Sequence, residues 1–236
     1  MNKILFLIIL ILNFFIINYN IIAFSYNLES SCFIETPHDT IIENQLLLNG
    51  RVWRNLYYMV REDQFLFSKE FLTGSLTMNG KTFNNIKIRY DIYKDEILTP
   101  MDSGGILQLN KEMVDSFSIL FRNRAYQFVK VDSLQGLKGY VHVLYKGKSA
   151  LFVKYIKKIE LLAVESKYDE FYQVNQSYFL KNNTLYQISS KKDLLMVFDK
   201  DKPQIKDFIK KNKIEISKSI PESFIPVIRY YDTINQ

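Results

Sequence analysis

The chain has one cysteine, two histidines and eight glycines among 236 residues. The single cysteine, Cys32, excludes an intramolecular disulfide, so the fold must stand on its apolar core. His38 and His142 with that cysteine are too few for a His/Cys metal cluster, which needs several ligands at suitable spacing. Gly-rich phosphate loops are absent. Lys146-Gly-Lys-Ser149 lacks the upstream glycine and sits between predicted strands, and Lys81-Thr82 sits in a predicted hairpin turn. Charge is missing from the start of the chain, where Lys3 is the only charged residue before Glu29.

What fills that start is apolar. Ile4–Leu12 runs without a break, and Phe14–Ile17 comes after one Asn. A short cationic start, an apolar run and the small-residue exit Ala23-Phe24-Ser25 make an export signal over residues 1–25. Cleavage there leaves Tyr26 first, with residues 26–49 as an N-terminal extension. The alternative is an uncleaved tether, because a bilayer core takes ~20 apolar residues. Asn13, Asn18 and Asn20 interrupt that stretch. Lipidation of Cys32 is not expected, since Glu29 stands three residues before it and Tyr26-Asn27 breaks the run. The expected location is the periplasm, the outer envelope or the exterior.

The remainder is enough for one domain and a substantial core. Its formal net charge of +6 is uneven. Ten lysines against five acidic residues lie between Lys181 and Lys218. A basic face can attract an anionic membrane surface or nucleic acid. Nucleic acid is not expected, because arginine, the better bidentate phosphate binder, is absent from that stretch. The lysines alternate with Asp and Glu, which suits a solvated helical face.

From residue 50 to 166 the pattern is antiparallel β. Asn79-Gly80 predicts a tight hairpin turn between Leu72–Thr77 and Phe83–Arg89, because Asn-Gly accepts positive φ. Ile86, Ile88 and Tyr90 alternate with Lys87 and Arg89, giving one buried and one wet face. Asp91–Leu98 is expected to continue as a strand. Further strands are expected at Phe117–Phe121, Tyr126–Val131, Tyr140–Tyr145 and Leu151–Ile156, with Gly136, Gly139 and Gly147 marking turns.

Residues 167–236 begin with a hairpin, Phe171–Leu180 and Thr184–Ile188, and end in short helices. Ser190-Lys-Lys-Asp193 resembles a capping box, with Leu194, Leu195, Val197 and Phe198 on one side of the next turns. Pro203 suits the first turn of a second helix, in which Ile205, Phe208 and Ile209 face inward and Lys206, Lys210 and Lys211 face water. Ser223 is placed to cap a third helix bearing Phe224, Val227, Ile228 and Tyr231. The expected class is α+β: mainly an antiparallel sheet, as a partial barrel or sandwich, with short C-terminal helices.

Two segments carry a resemblance. One is Phe71–Leu76 with Asn79-Gly80 and Arg89-Tyr-Asp-Ile-Tyr-Lys-Asp-Glu96. The other joins Tyr178-Phe179, Lys191–Leu194, Ile205–Lys213 and Ile228–Tyr231. Together they resemble a group of exported, functionally uncharacterised proteins of Bacteroidetes-type bacteria. The resemblance implies an envelope or secreted location and transfers no catalytic residue or cofactor.

No catalytic set emerges. Thr36-Pro-His38-Asp39 places a carboxylate beside an imidazole, but no nucleophile stands at a motif position. Met101-Asp102-Ser103-Gly104-Gly105 evokes protease turns. The serine-protease pattern needs glycine where Met101 stands, and the aspartic pattern needs a second aspartate or a dimer. The leading reading is a non-enzymatic envelope protein that binds another envelope protein or an apolar ligand. Trp53, Tyr57 and Tyr58 are its candidate aromatic surface. The alternatives are a hydrolase using Asp102 or His38, and membrane-surface association through Lys206, Lys210 and Lys211. No cofactor or metal is implied.

Overall fold

The computed structural model describes residues 46–161 and 168–235. The expected export signal, Cys32, His38 and most of the N-terminal extension lie outside them. The strands are β1 (Gly50–Val52), β2 (Leu72–Met78), β3 (Lys81–Asp91), β4 (Glu96–Pro100), β5 (Ile106–Leu109) and β6 (Val114–Phe121). β7 (Arg124–Leu134), β8 (Leu137–Lys146), β9 (Ala150–Glu160), β10 (Glu170–Lys181) and β11 (Thr184–Ile188) complete the set. They form one 11-stranded sheet in the order β1-β5-β4-β3-β2-β6-β7-β8-β9-β10-β11, which does not close into a barrel. After the last strand come three helices: α1 (Lys191–Val197), α2 (Lys202–Lys211) and α3 (Ile225–Ile234). None among the described residues is long and apolar enough to cross a membrane.

The Asn-Gly hairpin forms as the pattern predicts, with Met78 opposite Lys81 and φ of 48° at Asn79 and 78° at Gly80. Asp91–Leu98 is not one strand. Asp91 Oδ1 accepts from the backbone N–H groups of Tyr93 and Lys94, each at 2.9 Å, and this side-chain turn folds the chain back. The result is a hairpin in which Asp91 pairs with Glu96. Residues 101–105 make a second hairpin turn, joining β4 to β5.

The sheet curls. Tyr90 on β3 meets Phe117, Phe128 and Tyr140 on β6, β7 and β8, with ring centroids 5.1–6.0 Å apart. Leu76, Met78, Ile88, Ile119 and Val153 fill the same interior. Lys157 on β9 donates its backbone N–H to Ile92 O at 3.2 Å, bringing the β3–β4 turn onto β9. The irregular segment 61–66 runs along this seam. Its Arg61 exchanges backbone hydrogen bonds with Asp169 and Phe171, and its Gln64 and Leu66 with Ile92 and Tyr90. A second core lies between the sheet and the helices: Leu151, Phe179 and Ile188 meet Leu194, Ile205, Phe224, Val227 and Ile228. β9 and β10 pair from Ala150 opposite Leu180 to Glu160 opposite Glu170, so the sheet runs straight through the change of character near residue 167.

The helices start much as the sequence suggests, with one exception. Ser190 caps α1 by accepting from Asp193 N–H at 3.2 Å, and Pro203 sits in the first turn of α2. Ser223 does not cap α3. Its hydroxyl donates to Ser217 O and accepts from Ser217 N–H, and a 3-10 turn, Pro221–Phe224, leads into the helix instead. Phe208 is only half-buried and stacks on Tyr230 at 3.9 Å between centroids.

One edge of the sheet is dressed by a side chain. Gln135, in the β7–β8 turn, donates Nε2–H to Asn183 O and accepts at Oε1 from Leu185 N–H, both at 2.8 Å. A single amide thereby meets the turn residue Asn183 and the Leu185 N–H at the start of β11, as a neighbouring strand would.

A candidate binding cleft on the outer sheet face

Antiparallel partners point to the same face of a sheet. Arg51 pairs with Gln108, Gln108 with Leu98, and Leu98 with Arg89, so these four form one row across β1, β5, β4 and β3. Asp91 and Glu96 form the next row. Tyr90, Ile97 and Leu107 alternate to the inner face and are buried in the first core. These rows are mixed, with Arg51, Gln108 and Glu96 in contact with solvent and Leu98 and Asp91 fully buried. Between this face and the segment after β1 lies an open cleft of about 500 Å³, bounded by Arg51, Trp53, Arg54, Tyr57, Gln64, Asp91, Lys94, Glu96 and Gln108 and by the exposed aliphatic side chains of Val52 and Leu56.

Ion pairing and hydrogen bonds fix its walls. Arg51 donates from Nε to Gln108 Oε1 at 3.0 Å and from Nη2 to Glu96 Oε1 at 3.4 Å. Burial raises the Glu96 pKa, and Arg51 opposes that rise. Asp91 is fully buried beneath Gln64, whose Nε2–H it accepts at 2.8 Å. Burial raises its pKa too, against the pull of its three donors at Lys94, Gln64 and Tyr93. Asp91 thus serves the turn and the floor of the cleft together.

Trp53 and Tyr57, both named from the sequence, are half-buried and reach this cleft. Tyr57 stands edge-on to Tyr93 and Phe171 at 5.0 and 5.8 Å. Trp53 packs on Phe65 at 6.0 Å and carries the Arg89 guanidinium at 5.3 Å from its ring centre. Arg89 is boxed further by Phe65 and Phe71, and its Nη1 donates to Lys69 O at 2.7 Å. Its Nε and Nη2 are buried without a hydrogen-bond partner among the described residues, and burial lowers its pKa. Three ring faces offset part of that desolvation. Tyr58 stays out in solvent at 77 % exposure.

The other sequence-derived candidates are scattered. Lys206, Lys210 and Lys211 are exposed along α2, where Lys206 and Lys210 share a shallow groove with Asp207 and Glu215. Asp102 is exposed in the β4–β5 turn, away from the outer-face carboxylates on β3 and β4. His142 is a buried strand histidine. Its Nδ1 lies 3.0 Å from the Tyr155 hydroxyl, and burial pushes its pKa down to about 4. Lys146–Ser149 forms the β8–β9 turn, whose Ser149 donates to Asp232 Oδ1 on α3 at 2.7 Å. Among the described residues, no group of three or more His, Cys, Asp or Glu is placed to hold a metal.

Sequence reading missed Arg51, Gln64, Asp91, Glu96 and Gln108. For Asp91 and Glu96 the signal was present in the Arg89–Glu96 string, whose polar residues other than the exposed Lys94 take structural positions. Tyr90 donates its hydroxyl to Asp95 at 2.5 Å, and Asp95 is ion-paired with Lys111 at 2.6 Å and Lys154 at 3.1 Å. Comparison with protein-family models, curated proteins and solved structures found no match.

Proposed function

We propose that this chain is an exported envelope protein acting as a non-enzymatic binding module, with the outer-face cleft as its binding site. The observation that carries this reading is the convergence of Trp53 and Tyr57 with paired polar side chains around an open cleft of about 500 Å³, within the ~300–1,000 Å³ range of small-molecule sites. The lining is mixed, with Val52 and Leu56 exposed beside Arg51, Glu96 and Gln108, so it suits a ligand with both an apolar face and polar groups. A wholly apolar occupant would strip water from Arg51, Glu96 and Gln108 and return no hydrogen bonds. Export rests on the apolar start of the chain and on the resemblance of its two segments to exported proteins.

Trp53 is the only tryptophan, so its fluorescence reports on this cleft alone. Titration of the full chain with separated envelope protein and polysaccharide fractions should give a saturable change that Tyr57→Ala weakens. Absence of any saturable change would remove the reading. A second reading, membrane-surface association, rests on the exposed lysines of α2. It requires salt-sensitive binding to anionic vesicles that Lys206→Gln with Lys210→Gln abolishes.

A further inference from the structure

The outer-face cleft has a charge imbalance that narrows its ligand. Arg51 is committed to Glu96, and Asp91 is committed to Gln64 and to the backbone of its own turn. The lining thus holds three cations, Arg51, Arg54 and Lys94, against Asp91 and Glu96, one net positive charge; Arg54 has no carboxylate partner among the described residues, and Lys94 is drawn to Tyr57 and to the buried Asp91. The Lys94 ammonium lies 5.4 Å from the Tyr57 ring centre, so cation and aromatic ring occupy one side of the cleft together.

A ligand suited to all of this has three properties. It presents a weakly polarised C–H face to Trp53 and Tyr57. It carries several hydroxyls for Gln108 and the Arg51–Glu96 pair. It bears negative charge for Arg54 and Lys94. A simple anion lacks the first two properties, and a neutral sugar lacks the third.

We propose that the cleft binds an acidic carbohydrate, seated on Trp53 and Tyr57 with its acid group held by Arg54 and Lys94. This rests on the reading of the cleft as a binding site. Carboxylated and sulfated sugars share the required chemistry.

The test is Trp53 fluorescence of the full chain titrated with digalacturonate, a sulfated disaccharide, neutral digalactose, and tricarballylate as an anion without a ring. One or both acidic disaccharides should produce a saturable change, and the comparison identifies the acid group. Digalactose should bind more weakly by about tenfold for each charge-assisted contact it lacks, to Arg54 and to Lys94. Arg54→Gln should weaken the acidic sugar by a similar factor and leave digalactose unchanged, which a mere folding defect would not do. Equal binding of digalactose would overturn the acid requirement. Equal binding of tricarballylate would overturn the sugar requirement. Silence from both acidic sugars would overturn the proposal outright, while the binding reading itself stands or falls on the envelope-fraction titration.

Discussion

Asp95 and Asp232 are inward-facing carboxylates that each tie a distant part of the chain to a turn, and they do so with opposite chemistry. Asp95, in the β3–β4 turn, pins the seam of the curled sheet to β9 and to the β5–β6 connection through two ammonium groups and the Tyr90 hydroxyl. Asp232, on α3, holds the β8–β9 turn with neutral donors only: Ser149 N–H at 3.1 Å, the Ser149 hydroxyl at 2.7 Å and the Tyr145 hydroxyl at 2.9 Å. Burial would raise the Asp95 pKa, but Lys154, Lys111 and Tyr90 hold it below the usual carboxylate value. Lys154 is itself lowered by burial despite Asp95, and its Nζ has no well-aligned hydrogen bond among the described residues. The seam is therefore a place where losing one charge strands another. The helix contact is a place where loss leaves neutral groups that water can serve.

The comparison breaks most readily at Asp95. Asp95→Asn should cost about 3–4 kcal/mol in urea unfolding, toward the low end for removing one partner of a buried ion pair. Lys111 keeps 33 % of its side chain exposed, which limits the loss. Adding Lys154→Met should recover part of it, because the stranded ammonium is then gone. A cost equal to that at Asp232 would erase the distinction.

Acid should also separate the two regions, because His142 belongs to the curled part. Its folded pKa of about 4 lies below the ordinary 6.5, so the unfolded chain binds the extra proton first. The stability this neutral histidine contributes is fully present above pH 6.5 and is lost as pH falls toward about 4. The loss is up to about 3 kcal/mol. Amide exchange across β7–β9 should accelerate over that window before exchange in α2 and α3. His142→Phe should flatten the pH dependence, and an unchanged slope would contradict the assignment.

The smallest effect is expected at the helix contact. Asp232→Asn should cost about 1–2 kcal/mol, since an amide oxygen still accepts one of the neutral donors. Faster exchange of the Ser149 amide would locate the damage. A loss as large as that of Asp95→Asn would show that the neutral contact carries more than its chemistry suggests.

The sheet was largely legible in the sequence because its signals are local. The Asn79-Gly80 turn, the alternation from Ile86 to Tyr90 and the Ser190 cap each lie within a few residues. The β3–β4 hairpin was misread because its turn, Ile92–Asp95, contains no glycine. It depends on Asp91 bonding to its own following backbone and on Asp95 adopting a φ of 59°. The cleft was half legible. Trp53 and Tyr57 stood out as aromatics, but Arg51, Gln108 and Glu96 converge through the register of three ladders. Periodicity in one strand does not encode the alignment of four. The Ser223 cap failed for a related reason: its competing partner, Ser217, is supplied by the loop before α3.

The Gln135 amide carries a consequence for the molecule in a crowded solution. The last strand of an open sheet invites another chain to lay itself alongside, and repetition of that event builds fibres. Here an intruder must first displace an occupant already bonded to Asn183 and Leu185 at the entry to that strand. One residue in a neighbouring turn thus guards against self-association at that border of the sheet.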